Sequence, residues 1–336
     1  MNKLGKRIQT VVKIIRKQWF IFAIIAAFAS VIIDDSGTLS QLGIFIKEHH
    51  GPRIIMWIIF FISGMMLDME QVEKGMKDIK ATLAALVVIF VFAPLGALLI
   101  SLVPMETGIL IGLFLTAVMP TTLSSGIVMT GTAGGNMAHA LFITVLANFL
   151  CIVTIPVTLS VLLAPMGTAV SITLDRQAIM TTLIVLVLLP LILGMVVGRR
   201  AEISTERNAS LQLINQWLIV GVVFIAASGA RMVFVKNSGA VVAIIPMVMG
   251  FHALLLTASF LTSRLFSIGR GRRESVIFMG SQKTLALSVI LQVSLFPQYG
   301  TALLVCVLHH IFHLIMDGYL STRLGDQSCP VKVLSF

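Results

Sequence analysis

Ten stretches of this chain are long and apolar enough to cross a bilayer, and almost nothing is left between them. They run over about 19–34, 52–67, 80–103, 107–131, 137–163, 177–198, 211–234, 239–265, 273–296 and 299–322. Crossing roughly 30 Å of hydrocarbon takes about 20 residues in a helix. The connections are too short for a soluble domain, so whatever the protein does is done in the membrane. Charge supports this, because only 11% of residues are Asp, Glu, Lys or Arg and 57% are apolar. Soluble domains carry roughly a quarter charged residues. The expected fold class is an all-α integral membrane protein with ten transmembrane helices.

The net charge of +10 would suit a nucleic-acid partner if the cations formed one face. They lie instead in the gaps between apolar stretches. With both termini in the cytoplasm, eighteen Lys and Arg fall on the inside, among them Lys74, Lys77, Lys80, Arg199, Arg200, Arg207, Arg270 and Arg272. Five fall outside: Lys47, Arg53, Arg176, Arg231 and Lys236. That is the positive-inside pattern, so the expected partner is the lipid bilayer, not nucleic acid. The expected location is a bacterial inner (plasma) membrane. Residues 1–18 read as a basic amphipathic cytoplasmic segment, with Ile8, Val11, Val12 and Ile15 at helical spacing, leading into a retained first span.

Ten spans divide into two sets of five, 19–163 and 177–322, joined by a linker over 164–176 and followed by a cytoplasmic tail over 323–336. An odd number per half inserts the halves with opposite orientation, the inverted repeat common in secondary transporters. Each half interrupts its fourth span at a corresponding place. The first has Met119-Pro120-Thr121-Thr122-Leu123-Ser124-Ser125-Gly126, and the second has Gly280-Ser281-Gln282-Lys283-Thr284. Pro120 removes a backbone donor and disfavours helix at Met119, while Gly126 and Gly280 loosen the backbone. Freed carbonyls and amides are tolerable in a membrane only when buried in protein or lining a wet cavity. There, carbonyls and hydroxyls can bind a cation and half-helix N-termini an anion. The candidate substrate and ion site is therefore Thr121, Thr122, Ser124, Ser125, Ser281, Gln282, Lys283 and Thr284. Asn136, Thr144 and Asn148 recur at multiples of four in the next span and join it as one helical stripe. The alternative for any of these residues is helix-to-helix hydrogen bonding.

Lys283 is the one cation that the topology assigns to neither side. It lies about ten residues into its span, roughly 15 Å deep at 1.5 Å per residue. An ionised side chain there needs a partner, a wet cavity or a function. Asp317, on the last span, is the nearest acidic candidate. That span also aligns His309, His313 and Asp317 on one face beside His310, a set that could ligate a metal, relay protons or simply bond between helices. His139 and His252 read as satisfied packing residues. The three cysteines have no paired spacing, so no disulfide framework is expected.

These motifs resemble the bile acid:sodium symporter superfamily, and within it the bile-acid-symporter-like (SBF-like) branch. The resemblance rests on Phe60-Phe61-Ile62-Ser63-Gly64-Met65 with a charged linker after it, on Met119 to Ser125 with Ala133-Gly134-Gly135-Asn136 following, and on Gly280 to Thr284. It covers nearly the whole chain. It implies two inverted five-helix repeats, a panel from spans one, two, six and seven, and a core in which the unwound fourth and ninth helices cross. It implies alternating-access transport and no enzyme activity. Better-known members bind sodium at the crossing, and Thr144 and Gln282 fall on sodium-site positions. The acidic residue expected four before the Gln is Phe278 here, and a hydroxyl position reads Ala140. The expectation is a symporter-like carrier of a small organic anion, without a cofactor, in which the Lys283 ammonium supplies the charge that sodium supplies elsewhere. Sodium and proton both stay open as coupling ions. The second function class is a non-transporting regulator or channel that keeps the fold. Gly108 with Gly112 and Gly194 with Gly198 allow close helix contact but leave the oligomeric state open.

Overall fold

The computed structural model describes residues 19–164, 175–201, 205–236 and 238–326. The expected cytoplasmic segment over 1–18 lies outside them, as do most of the linker and all of the tail beyond Asp326. The described residues form helices, turns and extended links, with no strand among them.

Helix α1 (Trp19–Ile33) turns through 111° into α2 (Thr38–Glu48), a helix that hydropathy alone does not separate. Gly37 makes the corner possible with φ of 70°. Next, α3 (Gly51–Met65) turns by 75° into α4 (Met69–Gly75), whose first amides are capped by Asp68. Helix α5 (Ile79–Ile100) is followed by the short α6 (Thr107–Val118), by α7 (Ser125–Thr132) and by α8 (Met137–Leu163). After the link come α9 (Arg176–Ala201), α10 (Thr205–Lys236) and α11 (Ser238–Leu265). The chain closes with α12 (Arg273–Ser281), α13 (Leu285–Leu295) and α14 (Gly300–Asp326), so the last helix outruns its expected end at 322.

Among the described residues, seven helical segments are long and apolar enough to span a membrane by themselves, and nine if each bent pair counts as one span. The stretch expected over 107–131 is not continuous helix. It is α6, an extended link and α7, as Pro120 requires. The segment from Arg273 to Leu295 is 89% buried over its apolar window, whereas the window of α11 is only 28% buried. The former is a central element, and the latter leaves apolar side chains such as Val242, Leu261 and Leu265 facing outward.

Both α5 and α9 widen into a π-turn, at Val88–Phe92 and Ile184–Leu188. Each π-turn precedes a proline, Pro94 or Pro190, two residues beyond its end. Proline lacks the N–H that closes a helical turn and crowds the carbonyl four residues back. In α5 the N–H of Ala93 goes to the carbonyl of Val88, so the Ile89 carbonyl would have to look to residue 94, which is the proline.

Small residues bring α3 and α9 into backbone contact. A Cβ built on Gly64 would lie 2.2 Å from the Leu191 carbonyl oxygen, and one on Gly194 would lie 2.1 Å from that of Phe61. A Cβ on Gly112 would lie 2.6 Å from the carbonyl oxygen of Ala302. Both glycine pairs noted in the sequence therefore have packing roles inside one chain.

Candidate functional site

The links that interrupt α6/α7 and α12/α13 are extended. Met119 has φ and ψ of −68° and 145°, and Gln282 has −74° and 147°. They meet back to back, with the Thr284 N–H donating to the Pro120 carbonyl at 3.0 Å. The extended geometry is what the sequence of each link demands: Pro120 stops α6, and Gln282 to Thr284 join two helices by a strand-like step.

Lys283 is 1% exposed and sits where the links meet. Its Nζ donates to the carbonyl of Met119 at 3.0 Å and to that of Ile89 at 3.0 Å. These are the carbonyl of the residue that follows α6 and the one left over in the π-turn of α5. The expected pairing with Asp317 is not formed. Asp317 instead accepts from Gln282 Nε2 at 2.9 Å and holds His252 Nε2 at 2.8 Å.

Gln282 is the hub of the crossing. Its Oε1 accepts from Thr122 Oγ1 at 2.7 Å and from Ser125 Oγ at 2.9 Å, which ties the first link to the second. Thr122 Oγ1 also accepts from the Gly126 N–H, so it caps the start of α7, and it lies 2.9 Å from Ser125 Oγ, whose single hydrogen serves either Thr122 or Gln282. Thr121 Oγ1 and Ser281 Oγ are buried without a hydrogen-bond partner.

The stripe on α8 divides. Thr144 lies against the crossing, bonded to the Ala140 carbonyl at 2.9 Å and approaching that of Thr122 at 3.4 Å. Asn148 is one turn further, with its Nδ2 on the Thr144 carbonyl and its Oδ1 unpartnered. Asn136 is exposed and caps α8 by accepting from the His139 N–H, so it is a helix cap and not part of the crossing. Thr284 contributes its backbone. Phe278 is fully buried and packs with Ala133, Ile277 and Leu324, so an apolar ring stands where the resemblance implied an acid.

His139 is satisfied by Thr82 and Ser275, as expected of a packing residue. His252 is not. It bonds Asp317, leaves Nδ1 unpartnered and stands beside His309 and His313. Among the described residues no three His, Cys, Asp or Glu side chains converge on a point that could hold a metal ion.

Ser124 opens onto a cleft of about 410 Å³ between α3 and α4, the N-terminal half of α10, and α7 with α8. Ligand sites commonly run from roughly 300 to 1,000 Å³. Its polar lining is mostly carboxamide: Gln71, Asn208, Gln212, Asn215 and Gln216, with Ser63 and Ser124. The side-chain oxygens of Asn208 and Asn215 are buried without partners, while Asn215 Nδ2 donates to Ser63 Oγ. No Lys or Arg lines the cleft, and the one acid, Asp68, uses its carboxylate to cap α4. This amide row is absent from the residues singled out by sequence. Its signal is the spacing of 208, 212, 215 and 216, a 3.6-residue period of polar side chains in an otherwise apolar helix.

The sequence profile of the SBF-like CPA transporter family matches residues 18–326. The chain is 32% identical over 311 residues to the Arabidopsis thaliana chloroplast protein named as probable sodium/metabolite cotransporter BASS4, covering 87% of this chain and 71% of that one. The namesake from Oryza sativa subsp. japonica is 28% identical over 330 residues, covering 90% and 74%. Sodium/bile acid cotransporter 7-B of Xenopus laevis is 26% identical over 309 residues, covering 89% and 88%.

Proposed function

Because the chain belongs to the SBF-like CPA transporter family, a branch of the bile acid:sodium symporter superfamily, we propose that it carries a small organic anion across a bacterial inner membrane by alternating access. Its relatives are secondary transporters and not enzymes, and so is this integral membrane protein. In this reading the ten apolar stretches are two inverted five-helix repeats. Both termini are cytoplasmic, and the core around the crossed links moves against a panel that includes α3, α9 and α10.

The observation that carries the reading is the cleft ending at Ser124. It runs between Gln71 of α4 and Asn208 of α10 and reaches Ser124 at the start of α7, which opens at the crossing. Unpaired N–H groups and the helix dipole make such an N-terminus attractive to a carboxylate or sulfate. The amide row then offers donors and acceptors to the rest of the cargo, and the carboxamides set its orientation without fixing its charge.

Lys283 supports sodium independence. Its ammonium occupies carbonyls that a small monovalent cation would otherwise need, and it is tethered there by the chain. A thermal-shift screen of bile acids, keto acids and sulfated compounds on the full chain tests the carrier, because a ligand bound only by the folded state raises the melting temperature. Stabilisation by at least one anion and its counterflow in proteoliposomes without sodium are expected. No stabilisation by any class would overturn the anion reading. A strict sodium requirement that persists in Lys283→Ala would overturn the role given to Lys283.

A further inference from the structure

Helix α14 brings His309, His310, His313 and Asp317 to a buried face, and α11 adds His252. None of the five is more than 6% exposed. The rings form one cluster: His252 lies 5.6 Å from both His309 and His313 between centroids, His309 lies 5.5 Å from His313, and His310 lies 4.5 Å from His313. His252 Nδ1, His309 Nε2 and both ring nitrogens of His313 have no hydrogen-bond partner. Buried polar atoms are ordinarily paired, and a chain of imidazoles that can each take or give a proton is a proton-handling arrangement. The cluster also has an outlet. His252 holds one oxygen of Asp317, the other oxygen of Asp317 accepts from Gln282, and Gln282 accepts from Thr122 and Ser125 at the crossing.

We propose that the His252–Asp317 pair binds the coupling proton of this carrier and that Gln282 reports its presence to the crossing. This rests on the transporter reading above and adds the identity of the coupling ion. The switch follows from donor and acceptor counts. A carboxylate only accepts hydrogen bonds, whereas a carboxylic acid has one O–H to donate. With Asp317 ionised, Gln282 turns its NH₂ to Asp317 and its oxygen to the hydroxyls of Thr122 and Ser125. A proton placed on the Asp317 oxygen facing Gln282 turns the amide around. Its oxygen then accepts from Asp317, and its NH₂ faces Thr122 and Ser125, whose hydroxyls rotate to accept. One proton thereby reverses the polarity of the bonds from Gln282 to Asp317, Thr122 and Ser125, and gives up the weak one from its Nε2 to Met129 Sδ. The proton enters from solvent on the side to which the crossing is open, passes over the imidazoles, and leaves to solvent on the other side. No covalent bond other than those to the transferred proton forms or breaks.

The surroundings leave few competing groups. Lys283, in the same link as Gln282, directs its Nζ to the Met119 and Ile89 carbonyls. The packed helices α6, α7 and α13 carry no titratable side chain, Lys80 of α5 is exposed in that helix's first turn, and the charged residues of α10, Glu206, Arg207, Arg231 and Lys236, lie towards its two ends. On α12, Glu274 is taken by Arg273 and the Gly271 N–H. From α1, Phe20 covers His310 edge to face.

The test uses the full chain in lipid nanodiscs without cargo. Melting temperature is followed from about pH 5 to about pH 8, the range in which imidazoles titrate, for wild type, Asp317→Asn and His252→Gln. A step in the wild-type profile is expected, lost in Asp317→Asn and lost or displaced in His252→Gln. A structural role alone would lower all melting temperatures and leave the profile's shape intact, so parallel profiles overturn the proposal. If Asp317→Asn does not fold, His252→Gln decides alone, and a flat wild-type profile also overturns it. In proteoliposomes, an anion found in the thermal screen should accumulate under an imposed pH gradient with wild type and not with Asp317→Asn. A pH step without any transport would sink the carrier reading and spare the proton site; transport unaffected by either substitution would do the reverse.

Discussion

Lys283 reaches across from the second helix link to the Met119 carbonyl of the first, at 3.0 Å. The same Nζ holds the Ile89 carbonyl at the same distance. One side chain thus satisfies two backbone acceptors that neither helix can satisfy itself. Lys283→Ala strips both, and each buried acceptor left unpaired costs roughly 1–3 kcal/mol. The expected result is a marked fall in melting temperature in detergent. Sodium should partly restore it in the variant while leaving the wild type unchanged, which a melt in sodium against choline chloride reads directly.

Contact between α3 and α9 depends on the absence of side chains. With a Cβ on Gly194 only 2.1 Å from the Phe61 carbonyl oxygen, Gly194→Ala must push two backbones apart. Overpacking of this kind costs about 1–3 kcal/mol. Gly250, inside α11, has nothing within 4 Å of its built Cβ, so Gly250→Ala should raise stability by about 0.5–1 kcal/mol through helix propensity. Melting the two variants side by side checks both signs.

At the surface, the Arg272 guanidinium hydrogen-bonds Asp78 and holds its carboxyl below the usual carboxylate range; the Ala81 N–H adds to this and partial burial opposes it. A depressed carboxyl contributes stability above its unfolded pKa of about 3.9, and that contribution disappears as pH falls through the folded value. The melting-temperature gap between wild type and Asp78→Ser should be constant near neutrality and close below about pH 4. Serine can keep the cap on α5 while removing the carboxylate that Arg272 binds, and Arg272→Ala should behave alike if the pair is the cause.

The amide-lined cleft can be blocked without touching the crossing. Val128 lines it and is 52% exposed, so Val128→Trp fills space without burying strain. Melting temperature without ligand should hardly move, while stabilisation by an anion found in the screen should be abolished.

Membrane character, the two interruptions and the residues that meet there are legible in the sequence, because Pro120, the polar runs and a lone intramembrane lysine are rare in lipid and have few explanations. The corner between α1 and α2 is not, since Gly37 and the short polar turn before it look like any loop. The division of the α8 stripe is equally hidden. Asn136, Thr144 and Asn148 share a helical face, but a face has length, and Asn136 stands at the exposed end of it. Lys283 could be matched with Asp317 by depth, yet hydropathy does not show that carbonyls from α5 and α6 would reach the lysine first. Nor does it show that His252, alone on its helix, would meet the cluster on α14.

The π-turn in α5 places an acceptor where no helix donor can serve it, and Pro94 is the reason. Lys283 answers that acceptor from the far end of the chain. The two residues therefore form one heritable unit: a lineage that exchanges Pro94 for a residue with an N–H releases the lysine from half of its task, and one that loses the lysine exposes the proline's defect. Among descendants of a common ancestor, the two positions should change together.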